Sequence, residues 1–562
     1  MNPRQSYAPA GRFDYLTALL ISLVFGLQFG LYFGVSNHNT YLLHGLRLLD
    51  SSILSADWLA AHTTDYHPYF SYLVSLLLSM GRSGWAFVAA NVLAVTVGGF
   101  LVFCIIRLVN GVAGAVQVFL FVMVVASLTD TNSVADSYIF SELFQPSTLG
   151  AVGFIGAIYF FIRGQYLFSG LCHAIGGLFH ANFLVLGFPA FFIAHLLLSR
   201  KLILSHLVAQ FAFSSLALIP FINILLSIGG GQSAGDAARI LIKIRSPHHY
   251  DPTYFYQGFL PFLGWVLIGW QSAITFDRRS TFTKRAISIL LSTLFLVIVV
   301  SAVTSIIYWP KLAQLYFWRL APFVALIMQI LLAVRIAAPA DSANAPPKFT
   351  VLQFLLLGVG LALLSVHFIR HTSYSLPIFL GAVLGLYFIS RRSEMMTMRL
   401  AKFGGLRTIL IVFWLFASVY PATQAIRKPS FLLLPSRSEQ TLYEWARSTL
   451  LKSVFLIPPE LSNFRLHTER AIIGDWKSTP FVPDELVEWY RRMEDISGIP
   501  RVTSREQASA GYRNMTVARL EELKRKYAFD YAVLKRPVSS ADFAPWITAF
   551  ENKSYKVIRP DN

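Results

Sequence analysis

The residues FVAANVLAVTVGGFLVFCII, at positions 87–106, decide the fold because none of them carries a charge. A helix of about 20 apolar residues crosses the hydrocarbon core of a bilayer. Similar runs occur at 286–307 and 352–366. The chain of 562 residues is 55% hydrophobic and 14% charged, whereas an average soluble domain is about one quarter charged. The sequence therefore predicts a mostly α, polytopic membrane protein.

Apolar runs of suitable length recur along the first 424 residues. We predict about thirteen spans, at 15–35, 84–107, 112–128, 148–163, 166–180, 181–199, 203–228, 258–274, 286–308, 316–335, 350–368, 373–390 and 408–424. An odd number places the two chain ends on opposite sides of the membrane. Lys and Arg concentrate in cytoplasmic loops, and most of those in this region share the side of the N-terminus. We therefore expect the N-terminus inside and the C-terminus outside.

The composition changes beyond Pro421 to that of a soluble domain. Helical periodicity at 438–450, 483–496 and 515–527 alternates with short strand patterns at 453–457, 531–534 and 555–558. The pattern predicts a transmembrane domain at 1–424 and a small extracytoplasmic α/β domain at 425–562. We find no metal-ligand spacing, phosphate loop or nucleophile motif in the latter.

The formal net charge of +18 first suggests an acidic partner. In the membrane half, however, the basic residues lie mostly at span ends, where they orient a membrane protein. This excludes nucleic acid as a partner and leaves membrane lipid. The two cysteines, Cys104 and Cys172, both lie in apolar runs and indicate no disulfide framework.

The loop after the first span is rich in titratable residues. It contains Ser36-Asn37-His38-Asn39-Thr40-Tyr41, an amphipathic stretch to Leu49, then Asp50, Ala56-Asp57-Trp58 and Asp65-Tyr66-His67-Pro68. The stretch from Thr40 to Leu49 suits a helix lying along the membrane surface. The spacing of His38 and His44 does not place both side chains on one helical face, so we expect no metal site there.

This order of features resembles the start of the GT-C superfamily of membrane glycosyltransferases. The shared features are an aromatic-ended first span, a polar doublet, Tyr41, an amphipathic helix, Asp57-Trp58 and His67-Pro68 before the second span. The resemblance implies many spans, a soluble C-terminal domain outside the membrane, and transfer of a sugar from a polyprenyl-phosphate carrier. It implies no cofactor beyond that lipid-linked donor. It also implies a location in the bacterial inner membrane.

One departure from the family concerns the catalytic carboxylate. Many members have an acidic pair just before the tyrosine, where this chain has Asn37 and His38. An acceptor hydroxyl needs a base within hydrogen-bond reach. The candidates for that base are His38, Asp50, Asp57, Asp65, Asp130 and Asp136. For each aspartate, capping of a helix is the alternative interpretation.

The departing phosphate needs positive charge around it. Two predicted outer segments supply basic residues that suit this role, namely Lys243, Arg245, His248, His249 and Arg319. Arginine binds phosphate by bidentate contact. For the His248-His249 pair an ordinary polar loop is the alternative, and His180, between two short spans, fits either a core histidine or a site residue.

Three functions agree with these patterns. The first is a glycosyltransferase that uses a polyprenyl-phosphate-linked sugar. The second is a transporter or flippase of a lipid-linked or anionic solute, which internal repeats and mid-membrane charges would favour, yet we find no convincing repeat. The third is a non-catalytic GT-C relative in which the missing acidic pair reflects lost chemistry.

Overall fold

The computed structural model describes residues 12–29, 31–81, 84–110, 114–129, 134–199, 203–229, 233–275, 280–307, 309–337, 351–370, 375–392, 405–428, 436–537 and 543–561. The candidate base Asp130 lies outside them. Apolar helices occupy every predicted span. They are Arg12–Gln28, Trp85–Asn110, Ala115–Leu128, Pro146–Arg163, Tyr166–Phe179, Ala181–Leu198, Leu204–Leu218 with Ile222–Gly229, Phe259–Thr275, Thr281–Ile307, Ala321–Ala337, Val351–Arg370, Ser375–Arg392, and Gly405–Trp414 with Tyr420–Arg427.

Within the described residues, seven helices are long and apolar enough to cross a bilayer. The other predicted spans coincide with helices that fall short of that length or apolarity in the described part of the chain. Small residues allow close packing between them. A Cβ atom on Gly153 would lie only 2.5 Å from the Cα atom of Gly176. The helices Pro146–Arg163 and Tyr166–Phe179 therefore touch through their backbones.

Short helices and turns connect the spans and carry most of the polar residues. They are His38–Tyr41, Leu43–Leu49, Trp58–His62, Pro68–Ser79, Val134–Asp136, Ile219–Phe221, Ala234–Arg239, Ile240–Arg245, Pro247–Tyr250, Tyr256–Gly258, Pro310–Gln314, Phe317–Leu320 and Leu415–Val419. The predicted surface helix in the first loop is therefore present as two shorter helices, His38–Tyr41 and Leu43–Leu49.

The C-terminal region contains one mixed five-stranded sheet. In chain order its strands are β1 Val454–Leu456, β2 Ala471–Ile472, β3 Tyr531–Lys535, β4 Ile547–Glu551 and β5 Tyr555–Arg559. Their spatial order is β2-β1-β3-β5-β4, with β2, β1 and β3 parallel and β5 antiparallel to both β3 and β4. The helices are Arg437–Ser448, Phe464–Thr468, Pro483–Ser497, Arg505–Arg513 and Val517–Tyr527.

Alternation along the strands divides the apolar side chains between two cores. Phe455 and Val533 pack on the side of helix Arg437–Ser448, while Leu456 and Leu534 pack on the side of helix Pro483–Ser497. The small α/β region is therefore a sheet between two helical layers. The predicted domain boundary after residue 424 falls within the helix Tyr420–Arg427.

The α/β region docks onto the first loop through a buried ion triad. The Arg465 guanidinium donates to Asp57 (Nε to Oδ2, 2.8 Å) and to Asp475 (Nη1 to Oδ2, 2.9 Å), and all three side chains are at most 2% exposed. Polar contacts around it join Asn39 to Asn463 and the His467 ring to the Gly34 carbonyl. The first loop and the C-terminal domain therefore lie on the same side of the membrane.

The same domain also holds the segment that follows the seventh predicted span. Ala237, Ile240, Leu241 and Ile244 are buried in one core with Trp489. Two loops that are about two hundred residues apart in the sequence are thus fixed by one folded domain.

Replacement of Arg465 tests this docking. Arg465→Met leaves Asp57 and Asp475 buried without their counter-ion, so we expect the free energy of unfolding to fall by about 3–5 kcal/mol. The measurement is denaturant unfolding of the detergent-solubilised protein, followed by tryptophan fluorescence. The triple variant D57N/R465M/D475N, which removes all three charges, should recover a large part of the loss.

The matched control is Arg536→Met, which breaks a half-exposed ion pair with Glu551. Such pairs contribute about 1 kcal/mol or less. If R465M and R536M were equally stable, the triad would not hold the domain in place.

Candidate functional site

Arg245 enters the site from a widened helical turn. Residues Ile240–Arg245 form a π-helix, in which the Ser246 N–H donates to the Leu241 carbonyl five residues back, at 2.9 Å. Such turns are frequent at functional sites. The Arg245 Nη2 donates to the Lys477 carbonyl at 2.5 Å, while its buried Nε has no protein partner in the described part of the chain.

A second guanidinium, that of Arg319, approaches from the segment before helix Ala321–Ala337. Its Cζ lies 4.7 Å from the ring centre of Tyr316 and 5.4 Å from that of Phe183, within cation–π range. Its Nε is also buried, and no partner for it occurs among the described residues. Both arginines thus retain donors that a bound anion can satisfy.

Lys477 of the C-terminal domain is the third cation. Burial and the neighbouring Arg245 lower the pKa of Lys477 to about 8, against the opposing effect of Asp475 and Asp136. The Asp475 carboxylate fixes the start of this segment by accepting from the Lys477 N–H at 2.8 Å. At pH 7 the Lys477 ammonium remains mostly charged.

Tyrosine side chains line the space between these cations. Burial raises the pKa values of Tyr41 and Tyr250, and the positive charges of Arg319 and Arg245 partly offset the rise in each case. Burial likewise raises the pKa of Tyr66. The phenols are therefore protonated at neutral pH and can donate hydrogen bonds. Because the charges of both arginines influence the pKa values of Tyr41 and Tyr250, the first loop and the Arg245 segment lie close together. We call the region where they meet the hollow.

Two histidines extend the hollow towards the membrane helices. The rings of His67 and His180 lie 4.9 Å apart between centroids, and each Nδ1 is buried without a partner among the described residues. His180 is an extended residue between helices Tyr166–Phe179 and Ala181–Leu198. His67 makes a hydrogen bond with the Phe179 carbonyl. Since its Nδ1 is unpaired, Nε2 carries the hydrogen and Nδ1 the lone pair.

Two of the predicted bases have structural partners instead. The His38 Nδ1 accepts from the Gly34 N–H at 3.1 Å and its Nε2 bonds the Phe144 carbonyl at 3.0 Å, so both ring nitrogens are occupied. Burial lowers the pKa of His38 to about 4. Asp57 caps helix Trp58–His62 and accepts from Arg465 and the Ile472 N–H. The structure does not bring either residue to the hollow with a vacant lone pair.

The remaining predicted residues are more scattered. Asp50 is exposed and accepts from the Ser52 N–H and hydroxyl. Asp65 accepts from the His67 N–H at 2.9 Å and lines a small pocket with Tyr41, Tyr66 and His67. Lys243 forms an ion pair with Asp251 at 2.6 Å. Of these, Asp65 borders the site, whereas the described contacts of Asp50 and Lys243 lead elsewhere.

Asp136, His248 and His249 do come together. One ligand atom from each lies within 4.8 Å of the others, in an arrangement able to hold a metal ion. Burial, together with Arg245 and Lys477, lowers the pKa of His248 to about 4. No metal site was predicted from the sequence, where only the pair His38 and His44 was considered in the membrane half. Asp136 lies more than a hundred positions before His248 and His249, so no local spacing indicates this cluster.

Several residues of the hollow had no sequence signal. Tyr66, Tyr316 and Lys477 stand in ordinary aromatic or turn contexts, whereas Tyr41 and His67 were noticed only as parts of the motifs that carry the family resemblance. They come from separate connecting segments that meet only in three dimensions.

The assembled hollow has an excess of positive charge. Arg245, Arg319 and Lys477 surround neutral histidines and tyrosines. Asp136 is a nearby carboxylate, and its charge raises the pKa values of both Lys477 and Tyr316. Guanidinium and ammonium groups with protonated phenols are the donors that bind phosphate oxygens. The arrangement is suited to an anionic group presented at the membrane edge.

The fold is that of the polytopic GT-C glycosyltransferases. Three solved structures share it over nearly the whole chain. No curated protein matches. Residues 437–496 match a domain family described as a domain of unknown function, DUF6798.

The first similar structure is ArnT from Cupriavidus metallidurans bound to undecaprenyl phosphate, with a TM-score of 0.51, 12% identity and 97% of each chain covered. The second is the apo Archaeoglobus fulgidus oligosaccharyltransferase, with a TM-score of 0.52 and 11% identity over 93% of this chain and 70% of that one. The third is the archaeal oligosaccharyltransferase AglB from Archaeoglobus fulgidus in complex with an inhibitory peptide and a dolichol-phosphate, with a TM-score of 0.50 and 12% identity over 93% and 69%.

The lowered pKa of Lys477 predicts how anion binding depends on pH. Lys477 is charged below pH 8 and neutral above it, whereas His248, whose pKa is lowered to about 4, stays neutral over this range. Affinity for undecaprenyl phosphate should fall by about tenfold between pH 7.5 and pH 9.5, the worth of one charged hydrogen bond. Above pH 7.5 the phosphate monoester is already a dianion, so its own titration does not contribute to the change in affinity.

Lys477→Gln should bind undecaprenyl phosphate more weakly at pH 7.5, and its affinity should no longer fall between pH 7.5 and pH 9.5. Lys452→Gln, on an exposed turn, should behave as wild type in the same titration. An unchanged slope in K477Q would show that another group is responsible.

Proposed function

We propose that this protein transfers a sugar from a polyprenyl-phosphate carrier to an acceptor on the outer face of the inner membrane. The observation that carries the proposal is the convergence of Arg245, Arg319 and Lys477 on one hollow. The similar structures support it, since one holds undecaprenyl phosphate and another a dolichol-phosphate.

The phosphate of the donor lies between the two guanidinium groups. The unpaired Nε atoms of Arg245 and Arg319 supply charge-assisted donors, and the hydroxyls of Tyr41 and Tyr250 complete the set. Positive charge placed here stabilises the phosphate as it departs.

The reaction is a displacement at the anomeric carbon. The acceptor oxygen forms a bond to that carbon while the bond from carbon to phosphate oxygen breaks, and the electron pair leaves with the phosphate. The acceptor proton passes to a base. No oxidant, reductant or nucleotide takes part.

His67 is the base that we propose. Its Nε2 is fixed by the Phe179 carbonyl, so the buried Nδ1 holds a lone pair beside Arg319. Burial and Arg319 lower the pKa of His67 to about 3, so the ring is unprotonated throughout the neutral range. Binding of a phosphate near Arg319 offsets that positive charge and makes the ring more basic. Asp65 accepts a hydrogen bond from the backbone N–H of His67 and so positions this loop.

Removal of either arginine tests phosphate binding. In Arg245→Ala and Arg319→Ala we expect affinity for undecaprenyl phosphate to fall by about 10- to 100-fold, because each loses a charge-assisted contact of about 1.5–3 kcal/mol. The measurement is tryptophan quenching or native mass spectrometry of the purified protein in detergent.

The control is Arg47→Ala, since the hydrogen bonds of Arg47 within the described part of the chain are to its own loop, at the carbonyls of Ser51 and Ile53. Its affinity should equal that of wild type. Undiminished binding in both arginine variants would remove the proposed phosphate site.

Replacement of His67 tests the chemistry separately. His67→Gln keeps a donor for the Phe179 carbonyl but has no basic nitrogen. We expect undecaprenyl-phosphate binding to persist while release of labelled sugar from undecaprenyl-phosphate-linked hexoses or pentoses falls by about 10²–10⁴-fold. The assay is run in detergent with an envelope extract as acceptor, where transport contributes nothing.

His62→Gln is the matched control, because His62 lies exposed five residues earlier in the same loop. It should transfer at the wild-type rate. Transfer at that rate by H67Q would refute His67 as base, whereas binding without any transfer by wild type would identify a non-catalytic relative.

A further inference from the structure

A second polar cluster lies at the ends of the membrane helices that are far from the hollow. His180 precedes the helix Ala181–Leu198 and contacts His67 of the outer loop. His195 comes fifteen residues later, which is about 22 Å further along the helix axis at 1.5 Å per residue. The next helix, Leu204–Leu218, begins at that end. The cluster is therefore on the side of the membrane opposite to the C-terminal domain, which we predict to be the cytoplasmic side.

Aromatic contacts hold the cluster together. The centre of the Tyr166 ring lies 4.7 Å from that of His195 and 4.6 Å from that of His206. The Cζ atom of Arg285 lies 5.8 Å from the centre of the same Tyr166 ring, within cation–π range. One tyrosine thus contacts a guanidinium and two imidazoles that come from three other helices.

Arg285 is half-buried, unlike its exposed neighbour Lys284. Its Nη1 donates to the Ile162 carbonyl at 3.2 Å, one of the carbonyls that the end of helix Pro146–Arg163 leaves without a partner in the helix. The guanidinium also packs against Gly164, where a Cβ atom would lie 2.6 Å from Cζ. This is the one hydrogen bond of Arg285 within the described ranges, so its other donors can bind a further acceptor.

His195 provides an independent indication of a ligand. The residue is 6% exposed, and its Nε2 is buried without a hydrogen-bond partner among the residues that the structure describes. Buried polar atoms are normally hydrogen-bonded. The His195 and His206 ring centres are 6.3 Å apart, and Arg285 lies close enough for its charge to influence His195. An anionic oxygen between Arg285 and His195 satisfies both side chains.

The cluster has an excess of positive charge. Among the described residues, no carboxylate forms an ion pair with Arg163, Lys284 or Arg285. Positive charge at the cytoplasmic ends of spans orients a membrane protein, and this role is sufficient for the exposed Arg163 and Lys284. Arg285 and His195 point to a further role, because they are drawn in among aromatic rings and retain unused polar atoms.

The surroundings favour a lipid over a soluble anion. Large apolar side chains flank Tyr166 and His195 along their helices, and each is about half exposed on the outside of the protein. They are Leu167, Phe168, Leu196 and Leu197. A phospholipid can place its phosphate at the cluster and its acyl chains along these side chains, whereas free phosphate makes only the first contact. Basic pockets between helices on the cytoplasmic side are typical of sites for anionic lipids.

We propose that Arg285 and His195, in a pocket lined by Tyr166 and His206, bind the phosphate of an anionic phospholipid of the cytoplasmic leaflet. The site is separate from the hollow and does not depend on the proposed function.

The test measures lipid preference. The full chain is purified in detergent, freed of bound lipid, and titrated with dioleoylphosphatidylglycerol or dioleoylphosphatidylcholine under native mass spectrometry. We expect the anionic lipid to bind about tenfold more tightly. Arg245→Ala should keep this preference, because Arg245 lies at the hollow. Millimolar inorganic phosphate should not displace the lipid.

Two adjacent residues provide a matched pair of variants. Arg285→Gln and Lys284→Gln remove the same charge, but only the first removes the proposed contact. We expect R285Q to weaken phosphatidylglycerol binding by about 10- to 100-fold and K284Q by about fivefold or less. High salt should abolish the effect of K284Q, since exposed charges are screened. His195→Phe keeps an aromatic ring in place and should weaken binding by about fivefold.

Thermal unfolding without added lipid identifies any loss that comes from misfolding. H195F is the second test, because it leaves the contact between Arg285 and the Ile162 carbonyl in place. Equal affinity of the wild type for the two lipids would overturn the site, and so would an undiminished preference in well-folded R285Q and H195F. Loss of the preference in R245A would place the lipid in the hollow instead.

Displacement of phosphatidylglycerol by inorganic phosphate would overturn the lipid as the ligand. A protein that shows the lipid preference but does not bind undecaprenyl phosphate would keep this site and refute the proposed function.

Discussion

The site depends on the buried triad of Asp57, Arg465 and Asp475. Burial of three charges is unfavourable unless every one is paired and hydrogen-bonded. Here Asp57 also accepts from two backbone N–H groups, and Asp475 accepts from those of Lys477 and Ser478. Because the pairing is specific, the C-terminal domain can dock in one register on the first loop. That register places Lys477 beside Arg245.

The C-terminal domain therefore does more than cover the membrane helices. Its helix Pro483–Ser497 packs against the segment that leads to Arg245, and Arg492 lies over the ring of Trp58 in the first loop, 4.3 Å from the ring centre. Each loop alone is short and polar, with little apolar area to fix its position. Both are rigid here because one folded core binds both. A domain that appeared separate in the sequence thus completes the site.

The sequence revealed the membrane helices well and the site only in part. The bilayer sets the length of an apolar run, so the spans could be predicted from composition. The strands β1, β3 and β5 could be predicted from their alternation of apolar and polar residues. β2 and β4 were not predicted, since Ala471–Ile472 is two residues long and Ile547–Glu551 is only partly buried.

Four basic residues of the hollow were among the candidates because they lie near the ends of apolar runs, whereas Lys477 was not. Arg245, His248, His249 and Arg319 all border the hollow. The contact between Asp57 and Arg465 spans 408 positions, and no local pattern indicates it. Asp57 therefore looked like a candidate base, when its lone pairs serve the domain interface. His38 was misleading for a similar reason, because both its nitrogens bond backbone groups.

The absence of an acidic pair just before Tyr41 has a physical consequence for the site. Asn37 donates to Gln145 at 2.9 Å and His38 is neutral, so this end of the first loop carries no negative charge. A carboxylate there would be attracted to the cations of the hollow and would compete with phosphate for them. Without it, the positive field remains available to the anion, and the proposed base is the neutral imidazole of His67. In the proposed mechanism a histidine, His67, therefore takes the role that a carboxylate at this end of the loop would otherwise have.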